Sequence, residues 1–280
     1  MNLEGKRVLV VGSGKSGVAA AELLRKKGIT FVLFDGNKDL DVTALIEKNP
    51  VFAGAEILLG ELGPEDMARI DLVVLSPGVP TDLPMVNELR NRQIPIWGEI
   101  ELAYHFAKGR IIAITGTNGK TTTTSLVGEI MANYFDDVKV VGNIGIPYTS
   151  VAANTTEDTV TVAEISSFQL ETTHEFAPEV TAILNITPDH LNRHHTMEAY
   201  IQAKKNVAIN QTAEDTCVLN YEDEVLREFG ETLQTKVLYF SSKRKLDKGI
   251  YLDDGNIIYR NPDECLVCNV KELKLLGVHN

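Results

Sequence analysis

Two segments decide the fold prediction: RVLVVGSGKSG at residues 7–17 and RIIAITGTNGKTT at residues 110–122. Each begins with a short apolar run, which is typical of a strand buried on both faces of a parallel sheet. Each then passes through a glycine-rich turn into a predicted helix, Ser16–Lys27 in the first case and a helix beginning at Lys120 in the second. A strand, a tight turn and a helix form the repeating unit of an α/β fold with parallel strands.

The same alternation of apolar runs and helical patterns continues outward from these segments. A helix is predicted over Asp82–Arg92, and a β-hairpin over Ile250–Tyr259 that turns at Asp254-Gly255. The remaining predicted strands are Thr30–Asp35, Ile70–Leu75, Pro95–Trp97, Thr159–Ile165 and Val180–Ile186. We therefore expect an α/β protein whose sheets are mostly parallel and doubly wound.

Length and composition limit the classes of function. A chain of 280 residues suits two domains, and the helical stretch Glu99–Lys108 is the predicted join, which gives domains at residues 1–108 and 109–280. The formal net charge is −12, from 27 Lys and Arg against 39 Asp and Glu, which argues against non-specific binding to nucleic acid. No apolar stretch is long enough for a membrane span, and the first residues lack a secretion signal.

Cysteine usage indicates the compartment. The chain has 3 cysteines, which make no disulfide framework, so a reducing cytoplasm is expected. Cys265 and Cys268 form a lone C-x-x-C pair in a predicted strand. With no second pair nearby, we interpret them as chance cysteines.

The first glycine-rich loop, Gly12–Gly17, fits the pattern G-x-G-x-x-G between a strand and a helix. Glycines let the backbone approach a pyrophosphate, and the helix N-terminus offers free N–H groups to it. Asp35 ends the next strand, where a carboxylate meets a ribose hydroxyl in dinucleotide-binding folds. The pattern by itself favours NAD, but it reports a diphosphate rather than a nicotinamide. A tight turn without a ligand is the alternative.

The second loop, Gly116–Thr121, also follows a predicted strand and opens a helix. It departs from the full P-loop pattern because Ile114 occupies the position of the first glycine. Its chemistry is still that of a phosphate site: backbone N–H groups surround phosphates, Lys120 neutralises their charge, and the Thr121 hydroxyl can ligate Mg²⁺. A dehydrogenase does not need this loop, so it favours ATP.

Polar residues follow two later strands, at the sheet edge where ligands bind in parallel α/β folds. Glu164 ends one strand, where an acid can hold Mg²⁺, and Asp189 and His190 follow the next. A solvated strand end and a capped or core histidine are the plainer interpretations of Glu164 and His190. The group His190, His194 and His195 also suggests zinc, but without nearby cysteines or a second acid pair a zinc site is disfavoured.

Lys204 lies on the inward stripe of the predicted helix Met197–Asn210, whereas Lys205 is rotated about 100° away from that stripe. A buried lysine is costly unless a partner or a modification compensates it. Two interpretations remain at this point. Lys204 either reaches out to solvent or is an active-site lysine, and a desolvated neutral amine can be carbamylated by CO₂.

Taken together, these residues resemble the Mur ligases, the ATP-dependent amide-forming enzymes of peptidoglycan precursor synthesis. The motifs that carry the resemblance are TGTNGKTT at 115–122, GNIG at 142–145, NITPDHL at 185–191 and YIQAK at 200–204. EISSFQLE at 164–171 narrows the resemblance to the branch that joins D-glutamate to UDP-N-acetylmuramoyl-L-alanine. The resemblance runs from the first loop to Asn280, and the motifs are jointly very specific.

The resemblance implies a Rossmann-like parallel-sheet domain followed by a P-loop-type mononucleotide-binding α/β domain. It reassigns the first loop to the UDP of the substrate. The implied substrate-binding residues are Ser13, Gly14, Lys15, Ser16 and Gly17 at the diphosphate, Asp35, Gly36 and Asn37 at the uridine, and Ser76, Gly78, Asn143, Ser166 and Gln169 at the muramoyl-alanine part. At positions 36 and 37 this chain departs from the Thr-Arg-like residues of the family.

The resemblance also implies the nucleotide and metal sites. ATP would be bound by Gly116, Thr117, Asn118, Gly119, Lys120, Thr121 and Thr122, with Asn280 near the adenine. Two Mg²⁺ ions are implied, one held by Thr121 and Glu164, the other by His190 and carbamylated Lys204. Lys120, His190 and Lys204 are the implied catalytic residues.

The implied reaction transfers the γ-phosphoryl group of ATP to the substrate carboxylate, and the amine of D-glutamate then attacks the acyl phosphate. The implied partners are ATP, UDP-N-acetylmuramoyl-L-alanine and D-glutamate, with no nucleic acid or membrane, and the expected state is a monomer. The family has a third, C-terminal domain that supplies the D-glutamate site, and this chain stops where that domain should begin. We therefore expect a chain that binds the UDP substrate but ligates poorly.

Three other functions remain open. An NAD-dependent oxidoreductase would use the first loop and Asp35, but it leaves Glu164, His190 and Lys204 unexplained. A nucleotide-binding switch would use only the second loop. A sister ligase would add a different amino acid, and only the stretch 166–169 argues against it.

Overall fold

A computed structural model of the chain describes residues 2–273. It divides into two compact units. The first contains the residues up to Gly109 together with Val141–Thr159 and Phe168–Phe176. The second contains Arg110–Val140, Val160–Ser167 and the chain from Ala177 onward. Two stretches that the sequence prediction gave to the second domain, 141–159 and 168–176, thus group with the first unit.

The first sheet has five parallel strands, in the order β3-β2-β1-β4-β5. The strands are β1 (Arg7–Val11), β2 (Thr30–Asp35), β3 (Glu56–Leu59), β4 (Leu72–Leu75) and β5 (Ile96–Gly98). β1 lies at the centre because its valines and leucine are buried on both faces of the sheet. The crossover from β3 on one side of β1 to β4 on the other places the loop after β1 at a switch point, where such folds bind ligands.

The second sheet has nine strands, in the order β14-β13-β12-β11-β10-β9-β6-β8-β7. The first five of these strands along the chain are β6 (Arg110–Thr115), β7 (Val138–Gly142), β8 (Val160–Glu164), β9 (Val180–Ile183) and β10 (Thr216–Asn220). The others are β11 (Lys236–Ser241), β12 (Gly249–Asp253), β13 (Asn256–Arg260) and β14 (Glu264–Asn269). Strands β8, β6, β9, β10, β11 and β12 run parallel, and β13 and β14 are antiparallel to their neighbours.

Eleven α-helices connect the described strands. They are α1 (Lys15–Lys26), α2 (Val42–Lys48), α3 (Pro64–Met67), α4 (Pro84–Asn91), α5 (Glu99–Phe106), α6 (Lys120–Ala132), α7 (Thr149–Ala152), α8 (Ser167–Leu170), α9 (Leu191–His194), α10 (Met197–Lys205) and α11 (Glu224–Thr232). Several begin where the side chain of the preceding residue accepts a backbone N–H: Asp41 caps α2, Thr196 caps α10 and Asp223 caps α11. Helix α1 ends before Gly28, whose positive φ of 71° stops it as predicted.

The structure confirms the α/β fold class and the hairpin at Asp254-Gly255, which joins β12 to β13. The strand predicted over Val180–Ile186 ends earlier, at Ile183, because the backbone after it bonds to the loop that follows β6. The predicted helix Met197–Asn210 also ends early, at Lys205, and a 3₁₀ turn follows it.

The helical spacing of Leu126, Val127, Ile130, Met131 and Tyr134 predicts one apolar stripe on α6, and only part of this stripe packs inward. Val127 and Met131 do pack against the buried strands, but Leu126, Ile130 and Tyr134 are exposed, Tyr134 to 86%. The buried residues of this helix are instead Thr124 and Gly128. A Cβ at Gly128 would lie 2.5 Å from the Cγ2 atom of Val140. The glycine therefore allows this face of α6 to pack closely against Val140.

Candidate functional site

The first glycine-rich loop joins β1 to α1 and lies directly on the first turn of that helix. Gly12 has a φ of 98°, in the left-handed region. A Cβ at Gly17 would lie 1.8 Å from the carbonyl oxygen of Gly12. No side chain fits there without a backbone shift, so packing of the loop requires a glycine at position 17.

Asp35 anchors this loop to the end of β2. Its Oδ2 atom accepts hydrogen bonds from the Ser13 backbone N–H at 3.0 Å and from Ser13 Oγ at 2.5 Å, and its Oδ1 atom accepts the Asn37 N–H at 3.0 Å. Partial burial alone would raise the pKa of Asp35, but these bonds together hold it below its ordinary value. The carboxylate predicted to meet a ribose therefore also holds the loop in shape.

A cavity of about 450 Å³ opens above the loop, within the first unit. Its walls include the following predicted substrate residues: Ser13, Gly14, Lys15, Ser16, Asp35, Ser76, Gly78, Asn143 and Gln169. The buried Ser76 Oγ has no hydrogen-bond partner among the described residues. Of the other predicted substrate residues, Gly17, Gly36 and Asn37 do not line the cavity, and Ser166 belongs to the second unit.

The second loop joins β6 to α6 and is held by the segment that follows β9. The Thr117 N–H donates to the Asn185 carbonyl at 2.9 Å, and the Asn118 N–H donates to Asn185 Oδ1 at 2.8 Å. Asn185 Nδ2 returns a bond to the Asn118 carbonyl at 3.0 Å. Gly116 and Gly119 both have positive φ, so glycines permit the turn and Asn185 fixes it.

The N-terminus of α6 has the features of an anion site. The N–H groups of a first helical turn have no partner within the helix. In the described structure no side chain caps α6, and its first turn carries no acid. Lys120 Nζ folds back over the loop and donates to the carbonyls of Gly116 at 3.0 Å and Thr117 at 2.9 Å. The helix dipole and this ammonium both favour a bound phosphate.

Thr121 and Glu164 place two oxygen ligands together beside this loop. Parallel pairing of β6 with β8 sets Glu164 opposite Ile114, and its carboxylate is only 1% exposed. Thr121 Oγ1 donates to Glu164 Oε2 at 2.8 Å. Within residues 2–273 no group of three or more His, Cys, Asp or Glu side chains could hold a metal. A hydroxyl and one carboxylate nevertheless fit Mg²⁺, which in nucleotide sites takes its remaining ligands from phosphates and water.

Lys204 faces inward, as the helical pattern predicted. It is 2% exposed, and its Nζ donates to the Gly116 carbonyl at 2.7 Å, the same carbonyl that accepts from Lys120. Burial, and secondly the charge of Lys120, lower the pKa of Lys204 to about 7, while Asp189 acts in the opposite direction. The amine is therefore partly neutral at physiological pH and can act as a nucleophile.

His190 lies beside Asp189, after β9. Its backbone N–H donates to Asp189 Oδ1 at 2.8 Å, and its Nε2 is 3.4 Å from Asp189 Oδ2. The side chain is half exposed, and the backbone has a positive φ of 51°, which is costly for a residue other than glycine. Asp189 thus contacts His190 and acts electrostatically on Lys204. The predicted role of His190 and Lys204 as a second metal site stays a prediction.

Sequence reasoning missed the side chains that support Lys204 and the loop. The Lys204 ammonium lies 4.8 Å from the centre of the Tyr200 ring, and the Tyr200 hydroxyl is 2.9 Å from Thr117 Oγ1. His194, considered above only as a zinc ligand, packs its ring on Tyr200 and bonds through Nε2 to Ser167 Oγ at 2.9 Å. Tyr200 and Lys204 are four residues apart and therefore share one helical face, but no sequence signal showed what that face would meet.

Comparison with known protein families shows to which family the chain belongs. Residues 6–98 match the family described as Mur ligase MurD-like, N-terminal domain. Residues 114–280 match the family described as Mur ligase middle domain. The chain belongs to the Mur ligase family.

Named relatives of this Mur ligase chain match it over its whole length. The protein called UDP-N-acetylmuramoylalanine--D-glutamate ligase in Lachnoclostridium phytofermentans is 57% identical over 100% of this chain, and its namesake in Clostridioides difficile is 46% identical over 100%. The chain spans 62% of the length of each of these relatives.

Solved structures show the same fold. The UDP-N-acetylmuramate:L-alanyl-gamma-D-glutamyl-meso-diaminopimelate ligase from Neisseria meningitides has a TM-score of 0.58 at 15% identity, with 98% of this chain and 89% of that chain covered. The MurC ligase from Thermotoga maritima has a TM-score of 0.51 at 20% identity, with 98% and 62% covered. At these identities the likeness shows the fold alone.

Some predicted features of this Mur ligase chain lie outside the site or outside the described residues. Asn280, the predicted adenine contact, is not among residues 2–273. Cys265 is exposed on β14 and Cys268 is partly buried, while Cys217 is buried in the second unit. Within residues 2–273 no helix combines the length and apolar character needed to cross a membrane.

Proposed function

We propose that this chain carries the substrate and nucleotide sites of an ATP-dependent ligase that joins D-glutamate to UDP-N-acetylmuramoyl-L-alanine. The observation that carries the proposal is the pair of glycine-loop sites in one chain, each on the end of a parallel strand. The named relatives at 57% and 46% identity support the choice of substrate and of amino acid.

The cavity of the first unit suits the UDP-linked substrate. The loop and the start of α1 offer backbone N–H groups to a diphosphate, and Lys15 adds a positive charge. Hydroxyl and amide groups from Ser76, Asn143 and Gln169 suit the sugar hydroxyls and the lactyl-alanine amide.

The loop of the second unit suits ATP. Residues 116–122 would surround its phosphates, with Lys120 at the β- and γ-phosphates and Mg²⁺ held by Thr121 and Glu164. When bound, Mg²⁺ would offset the repulsion between the phosphates and the substrate carboxylate. Lys120 contributes positive charge at this place, and Lys204 Nζ shares with it the Gly116 carbonyl.

The proposed reaction has two chemical steps. The substrate carboxylate attacks the γ-phosphorus of ATP, ADP leaves, and an acyl phosphate forms. The amine of D-glutamate then attacks the acyl carbon, and phosphate and a proton leave as the amide forms. The neutral fraction of Lys204 supports the further proposal that its amine adds to CO₂ and loses a proton to give a carbamate, with His190 beside it at a second Mg²⁺.

Calorimetric titration of the 280-residue chain tests the proposal directly. UDP-N-acetylmuramoyl-L-alanine and NADH are titrated in the same Mg²⁺ buffer. Saturable binding of the UDP compound without binding of NADH is expected. Binding of NADH alone would reject the ligase and favour an NAD-dependent oxidoreductase.

A further inference from the structure

Glu99 is a buried carboxylate that the proposed reaction does not use. It is the first residue of α5 and is 2% exposed. Burial raises its pKa, while hydrogen bonds from Thr149, Gln169 and Tyr148 act in the opposite direction. A carboxylate is costly to bury unless its lone pairs are well satisfied, so these bonds and the helix N-terminus must compensate it.

The donors to Glu99 lie on two separate segments, and each segment has a residue that lines the substrate cavity. The Thr149 backbone N–H and hydroxyl donate to Oε1 at 2.6 Å and 2.8 Å, and the Tyr148 N–H adds a further bond. These residues directly follow Pro147, which lines the cavity. The remaining donor is the side chain of Gln169, which lines the cavity from another segment.

The bond to Gln169 also determines the orientation of its amide. This bond acts to lower the pKa of Glu99 and so favours the ionised carboxylate, which accepts from the N–H₂ group of the amide. A ligand in the cavity therefore meets a Gln169 side chain whose orientation Glu99 helps to fix.

We propose that Glu99 is a positioning residue of the substrate cavity, which holds Gln169 and the segment Pro147–Thr149 in the geometry that binds the UDP-linked substrate. The inference rests on the proposed function for the identity of the substrate. It assigns Glu99 no contact with the substrate itself.

Helix α5 supplies a matched control two residues away. Glu101 is 0% exposed and accepts the backbone N–H groups of His174 at 2.8 Å, Glu175 at 2.8 Å and Phe176 at 3.2 Å. None of these three residues lines the cavity. Loss of either carboxylate should disturb the fold of the first unit to a similar degree, but only Glu99 should affect the cavity.

The test compares Glu99→Gln with Glu101→Gln in the full 280-residue chain. Urea unfolding reports stability, and calorimetry reports the Kd for UDP-N-acetylmuramoyl-L-alanine and, as a second control, for ATP. We expect similar losses of stability, and a rise of about tenfold or more in the Kd of the UDP compound for Glu99→Gln alone. Equal Kd values for the two variants would overturn the inference.

A double-variant cycle separates positioning from general loosening of the fold. If Glu99 acts partly through Gln169, the change Glu99→Gln will raise the Kd less in a Gln169→Ala background than in the wild type. An equal fold-increase of the Kd in both backgrounds would contradict a role of Glu99 through Gln169.

Should Glu99→Gln not fold, Thr149→Val removes one hydroxyl bond to Glu99 and should raise the Kd for the UDP compound about threefold. No binding by the wild type would instead reject the proposed function.

Discussion

Replacing Lys204 with methionine removes an ammonium group from a buried position while keeping an unbranched side chain of similar length. The Gly116 carbonyl loses the bond from Lys204 but keeps the one from Lys120 at 3.0 Å. The folded protein is therefore relieved of a desolvated charge at the expense of one hydrogen bond. We expect Lys204→Met to be more stable than the wild type at pH 6.

The sign and size of the pH dependence follow from the lowered pKa. The pKa of Lys204 falls from its ordinary 10.5 to about 7 on folding, mainly through burial. Between these two values the unfolded chain holds a proton that the folded chain lacks, so unfolding takes up a proton and the free energy of unfolding rises with pH. From pH 6 to pH 9 the gain for the wild type is about 2.5 kcal/mol, and the methionine variant lacks it.

Urea unfolding at pH 6 and pH 9, in buffer without Mg²⁺ or bicarbonate, measures the effect. The stability advantage of Lys204→Met over the wild type should shrink by about 2.5 kcal/mol between the two pH values, because the other titrating groups cancel in the difference. Lys205→Met controls for removing a lysine from the same helix, since Lys205 is only partly buried and packs on the Phe229 ring. A difference between wild type and Lys204→Met that is independent of pH would refute the reasoning.

Three further predictions test other parts of the structure. Gly17→Ala should lower the free energy of unfolding, measured in urea, by at least about 2 kcal/mol, because the new Cβ meets the Gly12 carbonyl. Gly14→Ala has open space around it and should change this free energy by less than about 1 kcal/mol. Equal losses of stability in the two variants would show that the loop relaxes around the new methyl group. Thr121→Val should raise the calorimetric Kd for ATP about tenfold with Mg²⁺ and less in EDTA, since only a metal-linked role needs the hydroxyl, so equal losses would count against the metal site. A thiol reagent should label the exposed Cys265 in the native protein but label Cys217 only in denaturant, because burial excludes the reagent and raises the Cys217 pKa to about 11. Mass spectrometry of the peptides identifies the labelled cysteines. Labelling of Cys217 in the native protein would contradict its burial.

Local pattern was enough to predict part of the strands and helices and the two loops. A continuous apolar run followed by a glycine-rich turn needs only neighbouring residues to be recognised, which is why β1, β6 and the helices after them were placed correctly to within a residue or two. The same local logic failed on α6. Its apolar residues share one stripe, but packing against the sheet partly buries Val127 and Met131 and leaves Ile130 exposed.

The sequence by itself therefore determined the fold class, the positions of the two glycine-rich loops and the inward direction of Lys204, because each depends on the local pattern of a strand or helix. Only the tertiary structure decided what these groups meet. Strand pairing brings Glu164 to Thr121, and chain folding brings Lys204 to the Gly116 carbonyl across a separation of 88 residues. The pairing of Glu99 with Gln169 is of the same kind. Such contacts arise from the packing of distant segments, and the short-range pattern of a single sequence carries no record of them.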